Sequence, residues 1–335
     1  MKRIFCSAMA LAFTFTATTF ALPLYPEFQE TVSTTGTQAD KVDYIAFGNF
    51  DQWITRNIKE SAIIGGKTKT IYAIGPNKTI NGNQAYRGMG GSPWATSNVM
   101  AHVKGIYKTN LSVYKEARAG HGYCAKLYTH LEECKVLGII NIKVLAAGSV
   151  FLGQMMEPIT GASEPMKYLN CGRPFTKKPK AIMFDYKVQL SGSSSRIKQT
   201  GFGGASTVGG MDMADCIVLL QKRWEDAKGN IHAKRVGTMI KRFDRNSAWV
   251  NNAQFPILYG DITKNPRYFS AMALNAVNRY ALNSKGKMVP IKEEGWASED
   301  EAPTHLFIQF DSSHGGAYIG SVGNTLWIDN VRLVY

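Results

Sequence analysis

Two tryptophans stand in polar, loop-like surroundings: Trp94 in Gly90-Gly91-Ser92-Pro93-Trp94-Ala95-Thr96-Ser97-Asn98, and Trp296 in Glu293-Glu294-Gly295-Trp296-Ala297-Ser298-Glu299. Aromatic faces placed this way stack on the C–H surfaces of sugar rings, while nearby carboxylates, amides and cations fix the hydroxyls. Each tryptophan could equally plug the end of a packed layer, and Trp53 and Trp327, in strand-like apolar context, read as core. A second candidate surface comes from polar residues at period two, with Lys126, Tyr128 and His130 on one strand face and Asp185 with Lys187 on another. Asp185 is the best-placed carboxylate for catalysis, although a surface pairing with Lys187 accounts for it more simply. His314, in Asp311-Ser312-Ser313-His314-Gly315-Gly316, is beside glycines that would let a ligand approach the backbone. The plainer reading is a turn residue satisfied locally.

Other chemistries fail on spacing. Gly65-Gly66-Lys67-Thr68 is not a phosphate loop, because Ser61 stands where that pattern needs glycine and no strand-helix unit surrounds it. There is no G-x-S-x-G elbow, and the six histidines stand singly, so no nucleophilic triad is legible. Glycoside hydrolysis needs two carboxylates across a cleft, a pairing that spacing along a chain does not reveal. Cys124, Cys134, Cys171 and Cys216 are spaced too widely for paired zinc knuckles. A Cys124–Cys134 disulfide is the favoured pairing in an oxidising compartment, with buried free thiols as an equal alternative.

The elements that must position these groups are strands. The chain opens with Lys2 and Arg3, an apolar run from Ile4 to Phe20 and small-residue spacing at Thr19-Phe20-Ala21, the layout of a cleavable export signal over residues 1–21. No other segment is long and apolar enough to span a membrane as a helix. Residues 22–42, with two prolines and a Thr/Ser/Gly run, read as a linker, and folded sequence is expected over 43–335. Ala181 to Leu190 gives the clearest alternation: Ile182, Phe184, Tyr186, Val188 and Leu190 on one face, Asp185, Lys187 and Gln189 on the other. Tyr123 to Leu131 repeats the pattern, as does 306–310, and further strands are expected at 217–224, 231–243, 255–259 and 326–334. The polar loop 225–230 predicts an antiparallel hairpin. Short helices have room only near 165–169 and 267–282. Together these predict an all-β antiparallel sandwich of jelly-roll type with long loops. The formal net charge of +14 includes Lys2 and Arg3, and it favours anionic partners. Its lysines and arginines are dispersed, however, and nucleic acid is not an expected partner.

The ending Leu326-Trp327-Ile328-Asp329-Asn330-Val331-Arg332-Leu333 has the form of the last strand in many carbohydrate-binding jelly rolls. With Phe47-Gly48-Asn49-Phe50-Asp51-Gln52-Trp53, Gly91-Ser92-Pro93-Trp94, Lys178 to Lys187 and Trp249 to Tyr259, it resembles the family called Putative carbohydrate metabolism domain, found in exported bacterial proteins. The resemblance spans residues 43–335 and implies a β jelly roll similar to carbohydrate-binding modules. Related sugar-binding jelly rolls often hold a structural calcium, and Asp51 and Asp329 match the positions of its acidic ligands. The alternative for Asp329 is a hydrogen bond to a backbone amide. The expected function is glycan binding at the cell envelope, in the periplasm, at the surface or outside the cell. The alternatives are a glycoside hydrolase with a carboxylate pair and a structural envelope module that meets a protein partner.

Overall fold

The alternation read from the sequence becomes strand almost throughout. The computed structural model describes residues 28–31, 40–88, 91–136, 140–201 and 203–335, and over them the chain is all β. Among the described residues the helical segments are three short 3-10 turns, Ala62–Ile64, Pro165–Tyr168 and Ser270–Met272. The last two fall where the sequence left room for short helices.

One sheet is built around the C-terminal strand Thr325–Val334, which pairs antiparallel along one edge with Ala181–Gln189. Its other edge is shared. Tyr123–Tyr128 takes Thr325 to Ile328, and Val42–Ile45 takes Arg332 to Val334. Asn330, at φ +53°, lies between the two halves in the left-handed region that asparagine tolerates better than most residues. Val113–Ala117, Ser247–Pro256 and Phe28–Thr31 extend the sheet outward. Phe28–Thr31 falls in the segment expected to be a linker, and part of that segment is therefore sheet. The expected export signal, residues 1–21, lies outside the described residues.

The second sheet closes on itself. His305–Asp311 pairs with Ala214–Glu225, which forms the expected antiparallel hairpin with Ile231–Phe243. Pairing continues through Met288–Trp296, Tyr280–Leu282, Leu169–Cys171 and Ser149–Met155, which returns to His305–Asp311. Closure gives each strand two apolar environments. Along Ala214–Glu225, Cys216, Val218 and Leu220 meet Ile182, Phe184, Ile328 and Leu333 of the first sheet. Ile217 and Leu219 instead join Phe151, Ile231, Ile291 and Phe307. Fully burying side chains of this kind contributes roughly 1.5–3 kcal/mol each.

Three expectations are corrected by packing. The strand from Tyr123 does not run on to Leu131: it ends at Tyr128, and His130–Val136 pairs with Ile140–Ala146 in a separate sheet. The break is at buried Thr129, whose hydroxyl bonds Ser312 at 2.7 Å and whose N–H donates to the Asn324 carbonyl. Among the described residues Cys124, Cys134, Cys171 and Cys216 are free thiols, so no Cys124–Cys134 bridge forms. That break separates the two cysteines into different sheets, and the Cys124 thiol turns to the Glu116 carbonyl instead. Trp94 is not in a loop. It begins the strand Trp94–Thr96, is 2 % exposed, packs near Phe50 and Phe310, and donates its indole N–H to the Ala46 carbonyl.

Candidate functional site

The face of the first sheet that points away from the shared core carries a row of aromatic and cationic side chains on neighbouring strands. Lys126 lies opposite Trp327, and Trp327 opposite Lys187. Alternation sets this arrangement, since Leu326 and Ile328 occupy the core side and leave Trp327 on the other. The Lys187 ammonium lies 3.9 Å from the Trp327 ring centroid and 5.9 Å from that of Trp249. Lys126 lies 5.5 Å from the Trp327 centroid and ion-pairs with Glu116 at 2.9 Å. The Trp327 indole N–H donates to the other Glu116 carboxylate oxygen at 2.7 Å. Burial would raise the Glu116 carboxyl, but the bonds from Lys126 and Trp327 outweigh it and hold it below the usual range.

Next to this row, two carboxylates share one cation. Arg118 donates to Asp185 at 2.8 Å and to Asp329 at 2.5 Å, donates to Asn251 Oδ1 at 2.6 Å, and lies over Trp249 with its Cζ 3.9 Å from the ring centroid. Local backbone irregularities aim these groups. The pairing shifts between Met183 and Asp185 on one side and between Phe184 and Tyr186 on the other, and Asn252 and Asn330 both adopt φ +53°. The freed Asn252 N–H and the Asn330 amide both donate to Asp185. Burial works against the Asp185 charge, but these bonds and Arg118 hold its carboxyl below the usual range. Asp329 accepts fewer bonds, and burial pushes it up to about 6 despite Arg118.

Lys126, Tyr128, Asp185 and Lys187 therefore share one sheet face. Asp185 and Asp329 are its buried floor, turned onto Arg118. His130 belongs to the neighbouring sheet, yet its ring is nearly parallel to that of Tyr128 at 6.1 Å. Trp296 is on the second sheet, opposite Arg235, whose guanidinium lies 5.6 Å from its ring centroid. His314 is held in a loop by the Met213 N–H and Asp212, with Arg196 at 3.4 Å. Asp51 accepts from the Tyr123 N–H and the Asn49 amide. Calcium does not fit the pair read from the sequence, because Arg118 and the Asn330 N–H already engage both Asp329 oxygens. Among the described residues no group of three or more His, Cys, Asp or Glu is arranged to hold a metal ion.

Arg118 and Trp249 are absent from the reading of the sequence as site residues, whereas Trp327, read there as core, is indeed buried, on the side of its strand away from Leu326 and Ile328. The usable signal for Trp249 is its place in Ser247-Ala248-Trp249-Val250-Asn251-Asn252, where it shares the phase of the polar Ser247 and Asn251. Arg118 carries no such signal, since its partners are 67 and 211 residues away.

A second polar cluster lies on the second sheet. Ser149, Asp311, Asp215 and Arg242 are register partners across four adjacent strands. Burial pushes Asp311 up to about 6, while burial and the charge of Asp311 push buried Asp215 well above the usual carboxyl range. One Asp215 oxygen has no hydrogen-bond partner. A cavity of ≈ 250 Å³ elsewhere is lined by Val99, Val103, Ile142, Val144, Ile159 and Leu169 among others, an apolar surface that offers sugar hydroxyls few partners.

A family model described as Putative carbohydrate metabolism domain matches residues 50–240. No curated protein matches the chain. Among solved structures, a putative glycoside hydrolase from Bacteroides thetaiotaomicron VPI-5482 is 17 % identical, with 92 % of this chain and 71 % of that chain covered and a TM-score of 0.40. Likeness at that level carries no inference about fold or activity.

Proposed function

The chain belongs to the Putative carbohydrate metabolism domain family, and from that premise we propose that it binds glycans on the open face carrying Lys126, Lys187 and Trp249, with Trp327 buried beneath the two lysines. The observation that carries this reading is the alternation of cation and indole across adjacent strands, Lys126, Trp327, Lys187 and then Trp249. Trp249 is the half-buried stacking surface, and Arg118 backs one face of its ring. Tyr128 and His130 extend the aromatic surface toward the neighbouring hairpin. The core shared between the sheets supports the finer reading of a jelly-roll-type sandwich, one of whose layers has closed. Export by residues 1–21 would bring this face to glycans outside the cytoplasm, and a protein partner in the envelope would meet the same surface.

A glycan array with the chain lacking residues 1–21 tests the reading. Binding is expected, and Trp249→Ala should weaken it by about tenfold, in line with loss of one stacking contact. An array blank across plant, host and microbial glycans would end the proposal.

Hydrolysis is a second reading, favoured by the Asp215–Asp311 pair. Residues directly opposite on paired strands place their Cβ atoms about 4.5–5.5 Å apart, compatible with two carboxyls acting on one bond. This reading expects reducing-sugar release that Asp311→Asn abolishes without loss of folding. Glycan binding with no release on any polysaccharide would leave recognition alone.

A further inference from the structure

We infer that the glycan taken by this face is acidic, carrying a carboxylate or sulfate that meets Lys187. The inference rests on the glycan-binding reading and adds the charge class of the ligand. Of the cations on this side of the sheet, Lys126 is neutralised by Glu116, Arg118 by Asp185 and Asp329, and Arg332 is engaged by Asn252 and Met183. Lys187 differs. Among the described residues no carboxylate forms an ion pair with it: Glu116, bonded by Lys126 and the Trp327 indole, feels its charge from beyond ion-pair distance, and the faces of Trp327 and Trp249 lie against it. A cation over an indole is held by the ring quadrupole but keeps its N–H donors available, because the ring accepts no conventional hydrogen bond. Lys187 is thus ordered in advance, on a central strand, with donors unspent beside a stacking surface.

A neutral hydroxyl would use those donors weakly, whereas a carboxylate or sulfate accepts charge-assisted bonds roughly twice as strong. The chain's excess of 39 Lys and Arg over 25 Asp and Glu acts in the same direction at longer range, raising the local concentration of a polyanion. Long-range attraction alone, however, would be indifferent to any single lysine. The discriminating feature is the coincidence of one unpaired ammonium with two indoles.

The test is titration calorimetry of the chain lacking residues 1–21 against oligogalacturonate, its carboxyl-reduced neutral counterpart and a κ-carrageenan oligosaccharide, which carries sulfate and no carboxylate. Wild type, Lys187→Met, Lys187→Arg and Trp249→Ala are compared, with thermal melts to confirm folding. At least one acidic probe should bind about tenfold more tightly than the neutral one, and Lys187→Met should erase that difference while Lys187→Arg keeps most of it. The two acidic probes separate carboxylate from sulfate. Equal binding of reduced and acidic probes, with both weakened by Trp249→Ala, would overturn the acidic inference and leave glycan recognition standing. Acidic binding insensitive to both Lys187→Met and Trp249→Ala, yet lost between about 0.05 M and about 0.5 M salt, would overturn both readings of this face. No binding by any probe, with a blank glycan array, would do the same.

Discussion

At the scale of single residues, the two tryptophans that look alike in the sequence separate by what lies under them. Trp94 is enclosed by Phe50 and Phe310 with its N–H satisfied, so Trp94→Ala should cost about 3–5 kcal/mol in a urea melt and show no selective effect on ligand. Arg118 gives the opposite kind of dependence. Arg118→Met strands Asp185 and Asp329 in a buried site without their cation, an expected loss of about 3–5 kcal/mol at pH 7. Asp329 is neutral below about pH 6, so the same variant should lose less at pH 5. A penalty independent of pH would show that Asp329 is not the carboxylate left unpaired. Lysine in place of Arg118 should recover only part of the loss, since an ammonium does not reproduce a planar fork across two carboxylates. Polar residues at period two were legible, and Lys126, Tyr128, Asp185 and Lys187 do share a face. The arginine that organises the floor was not, because its meaning comes from partners brought together only by the sheet.

At the scale of elements, the sequence shows each strand's alternation but not which strand lies beside it. Ala181–Gln189 follows its reading closely: Ile182, Phe184 and Val188 are core, and Tyr186 packs against them. Tyr123 to Leu131 misleads because Thr129 keeps the alternating phase while leaving the sheet, and nothing local marks its bond to Ser312. Gly148 shows how tightly that corner is built. A Cβ there would lie 2.5 Å from the Tyr128 nitrogen and the Ser112 carbonyl oxygen, and 2.7 Å from Leu127 Cα, all backbone atoms that cannot yield separately. Gly148→Ala is therefore expected to destabilise by about 1–3 kcal/mol, as overpacking does, and to displace Tyr128 at the edge of the proposed binding face. Amide chemical shifts of Tyr128 and its strand neighbours would report the displacement. An unperturbed strand with unchanged stability would contradict so close an approach.

At the scale of the whole molecule, closure of the second sheet has an electrostatic consequence. Register places Asp215 opposite Asp311, so the folded chain holds two carboxyls against each other with Arg242 and Arg279 as the nearby cations and Asp212 adding negative charge. Asp311 and, on the other sheet, Asp329 are raised to about 6, against about 3.9 for an unfolded aspartate. A carboxyl raised on folding binds its proton more tightly in the native state. Its contribution to stability is thus fully present below about pH 4 and is lost as pH rises through about 6. Asp185 and Glu293, held low by their partners, act in the reverse sense and lose their contribution as pH falls below the ordinary carboxyl range. Buried His305, held down to about 3, also acts in the reverse sense, its contribution growing as pH rises toward about 6.5, so the decline due to the aspartates is read as a difference between variants and not from the wild-type profile alone. Asp215→Asn removes one charge from the opposed pair. It should stabilise the chain at pH 7 by about 1–2 kcal/mol, have much less effect at pH 4, and turn the slope between them upward relative to wild type. Thermal melts of both chains across that range read the two slopes. An Asp215→Asn effect that is the same at pH 4 and pH 7 would show that the two aspartates are ionised and compensated, with Arg242 and Arg279 outweighing their burial.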